Sequence, residues 1–393
     1  MARVQRIEVA GGERTWTVLS ASGTVVTPAE ELLEFMRAIQ RSPNTIKSYA
    51  RGLSLWWTFL EETQRAWDEV GSEDFGAFLI WLRTGRTPQV ASLGTSEPRY
   101  GEGTISIRLQ AVYALYRHHR RNGVEAASRI YERTRGSGGQ YRPFLEHVAR
   151  RRASDRQVVK VRRRRYEQPP TLTPHQIDLI KDACCVFVDG EWRGSVRDRL
   201  LFQLLEEAGL RLGEALSLQH RDWHTGRGDT PYIEVVPREH HPHGLRVKGE
   251  RYRKLYISDD LDALYGEYLW RLCDAGIDLA VDDLDRHYVF VNITREPLWR
   301  PMRPETVYKL TSRLDRKLAG RLPENWTPHW FRHTHATAML LAGVPLVVVS
   351  KRLGHADPQT TMNEYAWVTD DAEMRALADW AELTSRWRID ETG

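Results

Sequence analysis

The sequence predicts a mainly α-helical protein with a small β-sheet, divided into two domains. Its 393 residues exceed what a single hydrophobic core ordinarily contains, so two domains are expected. Residues 28–124 repeat apolar side chains at helical spacing, which predicts a helical first domain. After residue 170, long helical segments alternate with short β-like runs, which predicts a second domain of the α+β class.

The first domain follows a short N-terminal segment. Residues 1–27 alternate polar and apolar side chains around Gly pairs and predict a small hairpin or arm. Thr27 is placed to act as an N-cap, and Pro28 to occupy the first helical position. From residue 28 to residue 124, four amphipathic segments predict a helical module whose aromatic stripe lies in the core.

Residues 125–170 are rich in Gly, Arg and Pro and predict a basic connector between the domains. Within residues 150–165, nine Lys or Arg side chains accompany one acid, Asp155, so this segment has a net charge of +8. The whole chain carries only +4, so the remainder has a net charge of −4. A solvated linker would explain such a run, but a polyanion such as nucleic acid would neutralise it. The candidate DNA-binding residues are Arg150, Arg151, Arg152, Lys160, Arg162, Arg163, Arg164 and Arg165.

The second domain, residues 171–393, opens on a helix-start signal. Thr173 is placed as the N-cap, and Gln176 completes a capping box with it. The next helical segment, VRDRLLFQLLEEA, is followed by Gly209, which is placed to end it. The runs PYIEVVP, RYRKLYIS and HYVFVN predict strands, and the remainder predicts helices.

Composition excludes several classes of protein. The three cysteines, Cys184, Cys185 and Cys273, form an odd set with one adjacent pair, which is not a disulfide framework. No apolar run reaches the ~18–20 residues that span a bilayer, and the N-terminus lacks the apolar core of a signal peptide. We therefore expect a soluble globular protein of the reducing cytoplasm.

Four stretches of the second domain carry cationic or titratable residues in unusual settings. Each alone has an ordinary explanation: an arginine paired with Glu206 or Glu207, a solvated lysine at a turn between strands, or a core tyrosine. Together they combine permanent positive charge with a nucleophile, which is what a site that holds and attacks an anion requires. The residues are Arg211 in GLRLGEALSL, Lys248 in LRVKGERYRKLYIS, His329 and Arg332 in TPHWFRH, and His355 and Tyr365 in LGHADPQTTMNEYAWV.

These stretches resemble, in order, the motifs of the tyrosine recombinase family, which comprises phage integrases, Xer-type resolvases and transposon-borne relatives. GLRLGEALSL is similar to the first arginine motif, with Arg211 as the arginine and Glu214 as the supporting acid beside it. VKGERYR resembles the β-hairpin lysine motif, HWFRHTHAT the H-x-x-R box, and LGHAD with TTMNEY the second histidine and the nucleophile. The resemblance implies a catalytic domain at about residues 171–370 and a SAM-like core-binding domain at residues 28–124.

The chemistry of these residues agrees with the catalytic roles that the resemblance implies. The two arginine forks suit a bidentate grip on the non-bridging phosphate oxygens. A tyrosine hydroxyl titrates near ~10, so the nucleophile needs cations or a base nearby. We expect His355 to favour the phenolate, His329 to support the phosphate or the base, and Lys248 to protonate the 5′-oxygen leaving group. Of the other histidines on that helix, His333 is expected to face elsewhere and His335 to be packed or to act indirectly.

The resemblance implies a site-specific recombinase that works through a covalent 3′-phosphotyrosine and a Holliday junction, without ATP, a catalytic metal or another cofactor. It also implies that the substrate is double-stranded DNA with specific recombination sites and that the protein assembles on it as a homo-tetramer, to which an accessory factor can be added. A tail helix after residue 370 is expected to dock on a neighbouring protomer. The histidines of EHHPHG, residues 239–244, match no standard zinc spacing, and we expect a DNA-facing loop there.

Two other functions stay open at this point. A type IB topoisomerase-like enzyme would use the same chemistry as a monomer on one duplex, and a DNA-binding regulator would have lost the chemistry. Because all six catalytic positions are filled and a separate helical module is present, the recombinase is favoured. Integration or excision of a mobile element is preferred to chromosome-dimer resolution, since the N-terminal arm and the long connector exceed a compact two-domain pattern.

Overall fold

The computed structural model describes residues 1–9, 14–85, 99–120, 131–133, 155–157, 169–226, 228–238, 241–245, 252–355, 357–365 and 368. The chain divides into two compact units, Met1–Arg165 and Tyr166–Gly393. Among the described residues, no helix has the length and apolar character needed to cross a membrane. The finer four-part division drawn from the sequence stays a prediction.

The first unit is a helical module with a β-hairpin packed on it. Trp56 lies at the centre of its core, fully buried among aromatic rings that include Phe59, Phe78 and Tyr116, so the aromatic stripe is core as predicted. The hairpin is antiparallel and contributes Val18 to the same core. Its elements are β1 (Arg3–Glu8), β2 (Arg14–Leu19), α1 (Thr27–Ala38), α2 (Pro43–Thr63), α3 (Ser72–Thr84), α4 (Glu102–Arg120) and an antiparallel pair, β3 (Tyr131–Arg133) with β4 (Asp155–Gln157).

The predicted N-cap of the first helix is wrong by one residue. Thr27 is the first helical residue, Val26 occupies the capping position, and no side chain caps the helix. The reason is tertiary, because the Val26 amide donates to the Val18 carbonyl at 2.9 Å and keeps the chain extended up to the helix. Pro28 lies in the first turn, as expected from its fixed φ.

The second unit is mainly helical with small sheets, and one central helix organises it. Residues 200–202, 204 and 205 of this helix are fully buried, and it packs against several other helices. The elements are α5 (Pro174–Cys184), β5 (Cys185–Val188), β6 (Glu191–Gly194), the central α6 (Val196–Ala208), α7 (Leu212–Ala215), a 3₁₀ turn (His220–Asp222), β7 (Trp223–His224), β8 (Tyr232–Val235), β9 (Arg253–Tyr256), α8 (Asp259–Asp274), α9 (Ile277–Ala280), α10 (Pro304–Lys317), α11 (Pro328–Leu341), α12 (Leu346–Leu353) and α13 (Pro358–Tyr365).

Two predicted helix boundaries in this unit are confirmed. Thr173 Oγ1 accepts from the Gln176 amide at 3.3 Å, and Gln176 Oε1 accepts from the Thr173 amide at 2.9 Å, which forms the capping box of α5. Gly209 ends α6 with a left-handed φ of 60°. A side chain is excluded there because a Cβ on Gly209 would lie 2.5 Å from the ring of His335.

The strand predictions are partly right. PYIEVVP and RYRKLYIS contain β8 and β9, which pair antiparallel in a sheet of order β7-β8-β9. HYVFVN forms no named strand, because its backbone pairs only through isolated bridges at Tyr288 and Val291; residues 289–291 are nevertheless buried in the core. The hairpin β5–β6, which separates α5 from α6, was not predicted.

Candidate active site

A tight turn after α6 positions Arg211 and Glu214. Arg211 precedes the short helix α7, and the Glu214 carboxylate accepts from the Arg211 amide at 3.0 Å and from its Nη1 at 2.8 Å. Glu214 is 1% exposed, whereas the Arg211 side chain is 22% exposed. The alternative partners considered for Arg211 are wrong, since Glu206 pairs with Lys181 at 2.8 Å and Glu207 accepts from Ser258.

Glu214 also holds a buried arginine that the sequence analysis missed. Arg253 Nη2 donates to the Glu214 carboxylate at 2.6 Å, and Arg253 Nε donates to the Arg352 carbonyl at 3.0 Å. Burial opposes ionisation of Glu214, but Arg253 and then Arg211 outweigh it and lower the pKa of this carboxyl group. The signal for Arg253 is strand periodicity, because it shares one face of β9 with the buried Leu255.

Arg332 lies in the second turn of α11 and is 2% exposed. Its Nη1 donates to the Gly209 carbonyl at 2.8 Å, and its Nη2 donates to the Leu353 carbonyl at 2.6 Å. Arg211 Nη1 reaches the same Leu353 carbonyl at 3.4 Å, so the two guanidinium groups are adjacent. Burial and then the charge of Arg211 lower the pKa of Arg332 to about 10, which still leaves it charged at neutral pH.

His355 is buried beside these arginines. The helix α12 ends at Gly354 in a left-handed conformation, and the chain then carries the His355 ring to Arg332 Nη2, which lies 2.9 Å from its Nε2. Because Nε2 accepts from the arginine, Nδ1 carries the proton and donates to Thr361 Oγ1 at 2.7 Å. The imidazole therefore links α11 to α13.

Tyr365 ends α13 and is 1% exposed. Burial and then the negative charge of Glu364 raise the pKa of its hydroxyl group, while Arg332 opposes the shift. The Tyr365 hydroxyl lies 2.8 Å from Nδ1 of His333. The expectation that His333 faces elsewhere is wrong, because consecutive helical residues diverge around the axis and His333 thereby points at α13 while Arg332 points at α12.

Of the other two histidines of α11, His329 is exposed to solvent and His335 is packed inside the unit. His329 is exposed, and its ring lies 4.5 Å from that of His333, centroid to centroid. His335 is packed as predicted: its Nδ1 donates to the Glu206 carbonyl at 2.8 Å, and its Nε2 accepts from Arg352 at 3.1 Å. Lys248 and the eight candidate DNA-binding residues of the connector lie outside the described residues.

The DNA-facing loop expected at residues 239–244 stays a prediction, but two of its histidines turn toward the protein. His241 is buried, with Nε2 at 3.4 Å from the Leu216 carbonyl, and His243 Nε2 lies 2.8 Å from the Pro301 carbonyl. Both rings thus bond the backbone of this unit, and His240 lies outside the described residues. Within the described chain, no group of three potential ligands could hold a metal ion.

Comparisons with known proteins identify a family for both parts of the chain. The family model "Phage integrase family" matches residues 170–371, and "Phage integrase, N-terminal SAM-like domain" matches residues 30–123. Transposase A from transposon Tn554 of Staphylococcus aureus is 29% identical over 369 residues, covering 94% of this chain and 95% of that protein. Tyrosine recombinase XerC of Roseiflexus sp. (strain RS-1) is 25% identical over 326 residues, covering 81% of this chain and 82% of that protein.

Solved structures share the fold. The Tn1549 transposon integrase, in complex with transposon right end DNA, superposes with a TM-score of 0.58 at 16% identity and covers 89% of this chain and 99% of that chain. XerH site-specific recombinase bound to a palindromic difH substrate gives a TM-score of 0.56 at 17% identity and covers 88% of this chain and 84% of that chain. Since the phage integrase model spans more than half of the sequence, this chain belongs to the phage integrase family of tyrosine-type, site-specific DNA recombinases.

Proposed function

We propose that this chain cleaves and rejoins duplex DNA at specific sites through a 3′-phosphotyrosine on Tyr365 and a Holliday junction. One observation carries the proposal: Arg211 and Arg332 converge on the Leu353 carbonyl, His355 contacts Arg332, and the Tyr365 hydroxyl lies near enough for the charge of Arg332 to act on it. The single carboxylate of Glu214 faces Arg211 and Arg253, with Arg332 beside them, so the cluster keeps an excess of positive charge that a further anion would offset. A phosphodiester supplies that charge, and attack on it adds more.

The arginines act as fixed donors toward the phosphate. Arg332 commits three of its five N–H groups to Gly209, Leu353 and His355, which locks its orientation and leaves Nε and one Nη1 hydrogen for a non-bridging oxygen. Glu214 holds Arg211 in the same way while leaving that side chain partly exposed. Donors that are oriented before substrate arrives need no reorganisation when charge develops.

The remaining residues complete the proposed reaction. His355 positions Arg332, His329 contributes to the phosphate site from the exposed start of α11, and Lys248 protonates the 5′-oxygen as it leaves. The connector residues Arg150–Arg152, Lys160 and Arg162–Arg165 contribute affinity that does not depend on DNA sequence. The core-binding and catalytic domains, residues 28–124 and 171–393, act together on the duplex.

The biological setting is inferred from the relatives. A transposase of Tn554 and an integrase of Tn1549 are among the similar proteins, and the latter is seen with transposon right end DNA. We therefore propose that this chain moves a mobile element, and that it assembles on double-stranded DNA as a homo-tetramer, with room for an accessory factor. The tail after residue 370 would join neighbouring protomers.

The proposal is tested by covalent trapping. The full chain is incubated with a library of nicked duplexes, which lose a short strand after cleavage and so cannot be rejoined, and denatured adducts are sequenced and mapped by peptide analysis. An adduct through a 3′-phosphate on Tyr365, confined to particular sequences, supports recombination. Sequence-independent adducts with relaxation of supercoiled DNA would indicate a topoisomerase, and binding without any adduct would indicate a regulator.

Arg332→Lys should lower the rate of adduct formation at saturating DNA by about 10²–10³-fold, the usual effect of removing one fixed donor to a developing oxyanion. A lysine ammonium cannot contact Gly209, Leu353 and His355 and still present a fork to phosphate. Single-turnover gels measure the rate, with the exposed Arg321→Lys as the matched control. Equal rates of adduct formation for both variants would show that Arg332 does not bind the reacting phosphate.

A further inference from the structure

The contact between Tyr365 and His333 has no part in the function as proposed above. Nδ1 of His333 lies 2.8 Å from the Tyr365 hydroxyl oxygen, within hydrogen-bonding distance. We propose that His333 is the base that accepts the phenolic proton of Tyr365 when this oxygen attacks phosphorus. The inference rests on the proposed function, because it takes Tyr365 as the nucleophile.

The geometry favours His333 over the histidine expected from the sequence to play this part. Both ring nitrogens of His355 are engaged, Nε2 with Arg332 and Nδ1 with Thr361 Oγ1. His333 stands next to Arg332 in the chain, so the phosphate donor and the base are carried by consecutive residues of α11. Tyr365 is 1% exposed, so its proton needs a protein acceptor rather than bulk water.

The charge state of His333 suits an acceptor. Burial, then His329 and Arg332 on its own helix, lower the pKa of His333 to about 4, and Tyr365 faces it from α13. The ring is therefore neutral near pH 7, with Nδ1 accepting from the phenol and the proton on Nε2. A phosphodiester beside Arg332 would offset the charge of that arginine and make His333 more basic. Proton acceptance would thus be coupled to the presence of DNA.

The proton balance of the step is complete. The O–H bond of Tyr365 breaks and its proton moves to Nδ1 of His333, while the phenolic oxygen forms a bond to phosphorus. The bond from phosphorus to the 5′-oxygen breaks, and that oxygen takes its proton from Lys248. In rejoining, an incoming 5′-hydroxyl returns a proton to Lys248, and the departing phenolate takes its proton back from the His333 imidazolium.

The test uses the sequences recovered by trapping and follows the single-turnover cleavage rate from pH 5 to pH 9. Removal of a general base ordinarily costs 10²- to 10⁴-fold in rate, so we expect His333→Ala to slow cleavage at pH 7 by at least about 10²-fold. The wild-type rate should level off above the pKa that His333 has in the DNA complex, whereas the His333→Ala rate should keep rising tenfold per pH unit, because attack then requires the free phenolate. Added imidazole should restore part of the cleavage rate of His333→Ala. The control His175→Ala, at an exposed site, should cleave at the wild-type rate and should not respond to imidazole.

Two further comparisons separate this role from a structural one. His333→Asn keeps an oxygen near the Nδ1 position and should retain adduct specificity and DNA affinity while staying slow. A substrate with sulfur as the 5′-bridging atom needs no proton on its leaving group, so it should rescue Lys248→Ala and leave His333→Ala slow. Rescue of His333→Ala by this substrate would instead assign His333 to the leaving group.

The inference and the function on which it depends fail in different ways. If the wild-type chain forms no adduct with any sequence, the proposed function fails. If the wild-type chain forms the Tyr365 adduct and His333→Ala is as fast or faster, with no change in pH profile, the inference is overturned. A faster variant would mean that His333 holds the tyrosine back rather than activating it.

Discussion

Tyr365→Phe should abolish covalent attachment to DNA while leaving the fold almost unchanged. The substitution removes only the oxygen that attacks phosphorus, and the aromatic ring keeps its place in the cluster with Ala336, Val349 and Leu353. The loss of the hydrogen bond to His333 should cost about 1 kcal/mol of unfolding free energy. DNA affinity should be retained, because the arginines that carry the positive charge are untouched.

The measurement is the trapping gel at long incubation times, combined with urea unfolding and a gel-shift titration. Tyr308→Phe, on the exposed surface of α10, is the matched control and should form adducts at the wild-type rate. An adduct that persists in Tyr365→Phe would show that another residue is the nucleophile. Loss of both adduct and folding would show that the hydroxyl group is structural.

Glu214→Gln should destabilise the second unit by about 3–5 kcal/mol, the usual effect of leaving buried charges without their partner. The carboxylate is 1% exposed and is the partner of both Arg253 and Arg211, at 2.6 and 2.8 Å. The neutral amide keeps the shape but leaves these guanidinium groups, and Arg332 next to them, without the opposing charge. Cleavage should fall as well, since Arg211 loses the group that orients it.

Glu214→Gln should also change the pH dependence of the free energy of unfolding. The pKa of Glu214 is lowered in the folded protein, so its ionised form stabilises the fold above the unfolded-state value of about 4.3. That contribution is lost as pH falls through the lower, folded-state pKa, because protonation then occurs in the folded protein too. Urea unfolding free energies between pH 7 and pH 3 should therefore show a smaller acid-dependent loss in Glu214→Gln than in the wild-type chain.

A matched control separates this effect from general charge removal. Glu267→Gln breaks a helix-surface pair with Arg271, in which both side chains are about one-third exposed, and should cost less than about 1 kcal/mol. If the two variants lose similar free energies of unfolding, the buried cluster around Glu214 stabilises the protein no more than a surface ion pair does.

Local sequence signals were sufficient to predict helix boundaries where the interacting residues are close together in the chain. The capping box at Thr173 and the helix-ending Gly209 were predicted correctly, because each depends on residues adjacent in the chain. The apolar run HYVFVN was assigned to a strand and is not one, because its pattern is equally satisfied by burial in a core. The cap at Thr27 failed because a distant strand residue, Val18, holds the preceding amide.

The sequence by itself determined the family, the mainly helical fold and the order of the candidate catalytic motifs, because those depend on residue types at short spacings. Only the tertiary structure decided which side chains meet. Arg253 reaches Glu214 across 39 residues, and His333 reaches Tyr365 across 32. Such contacts arise where α11, α12, α13 and β9 pack around the end of α6. Charged and polar side chains that are buried there destabilise the fold unless each of them is paired.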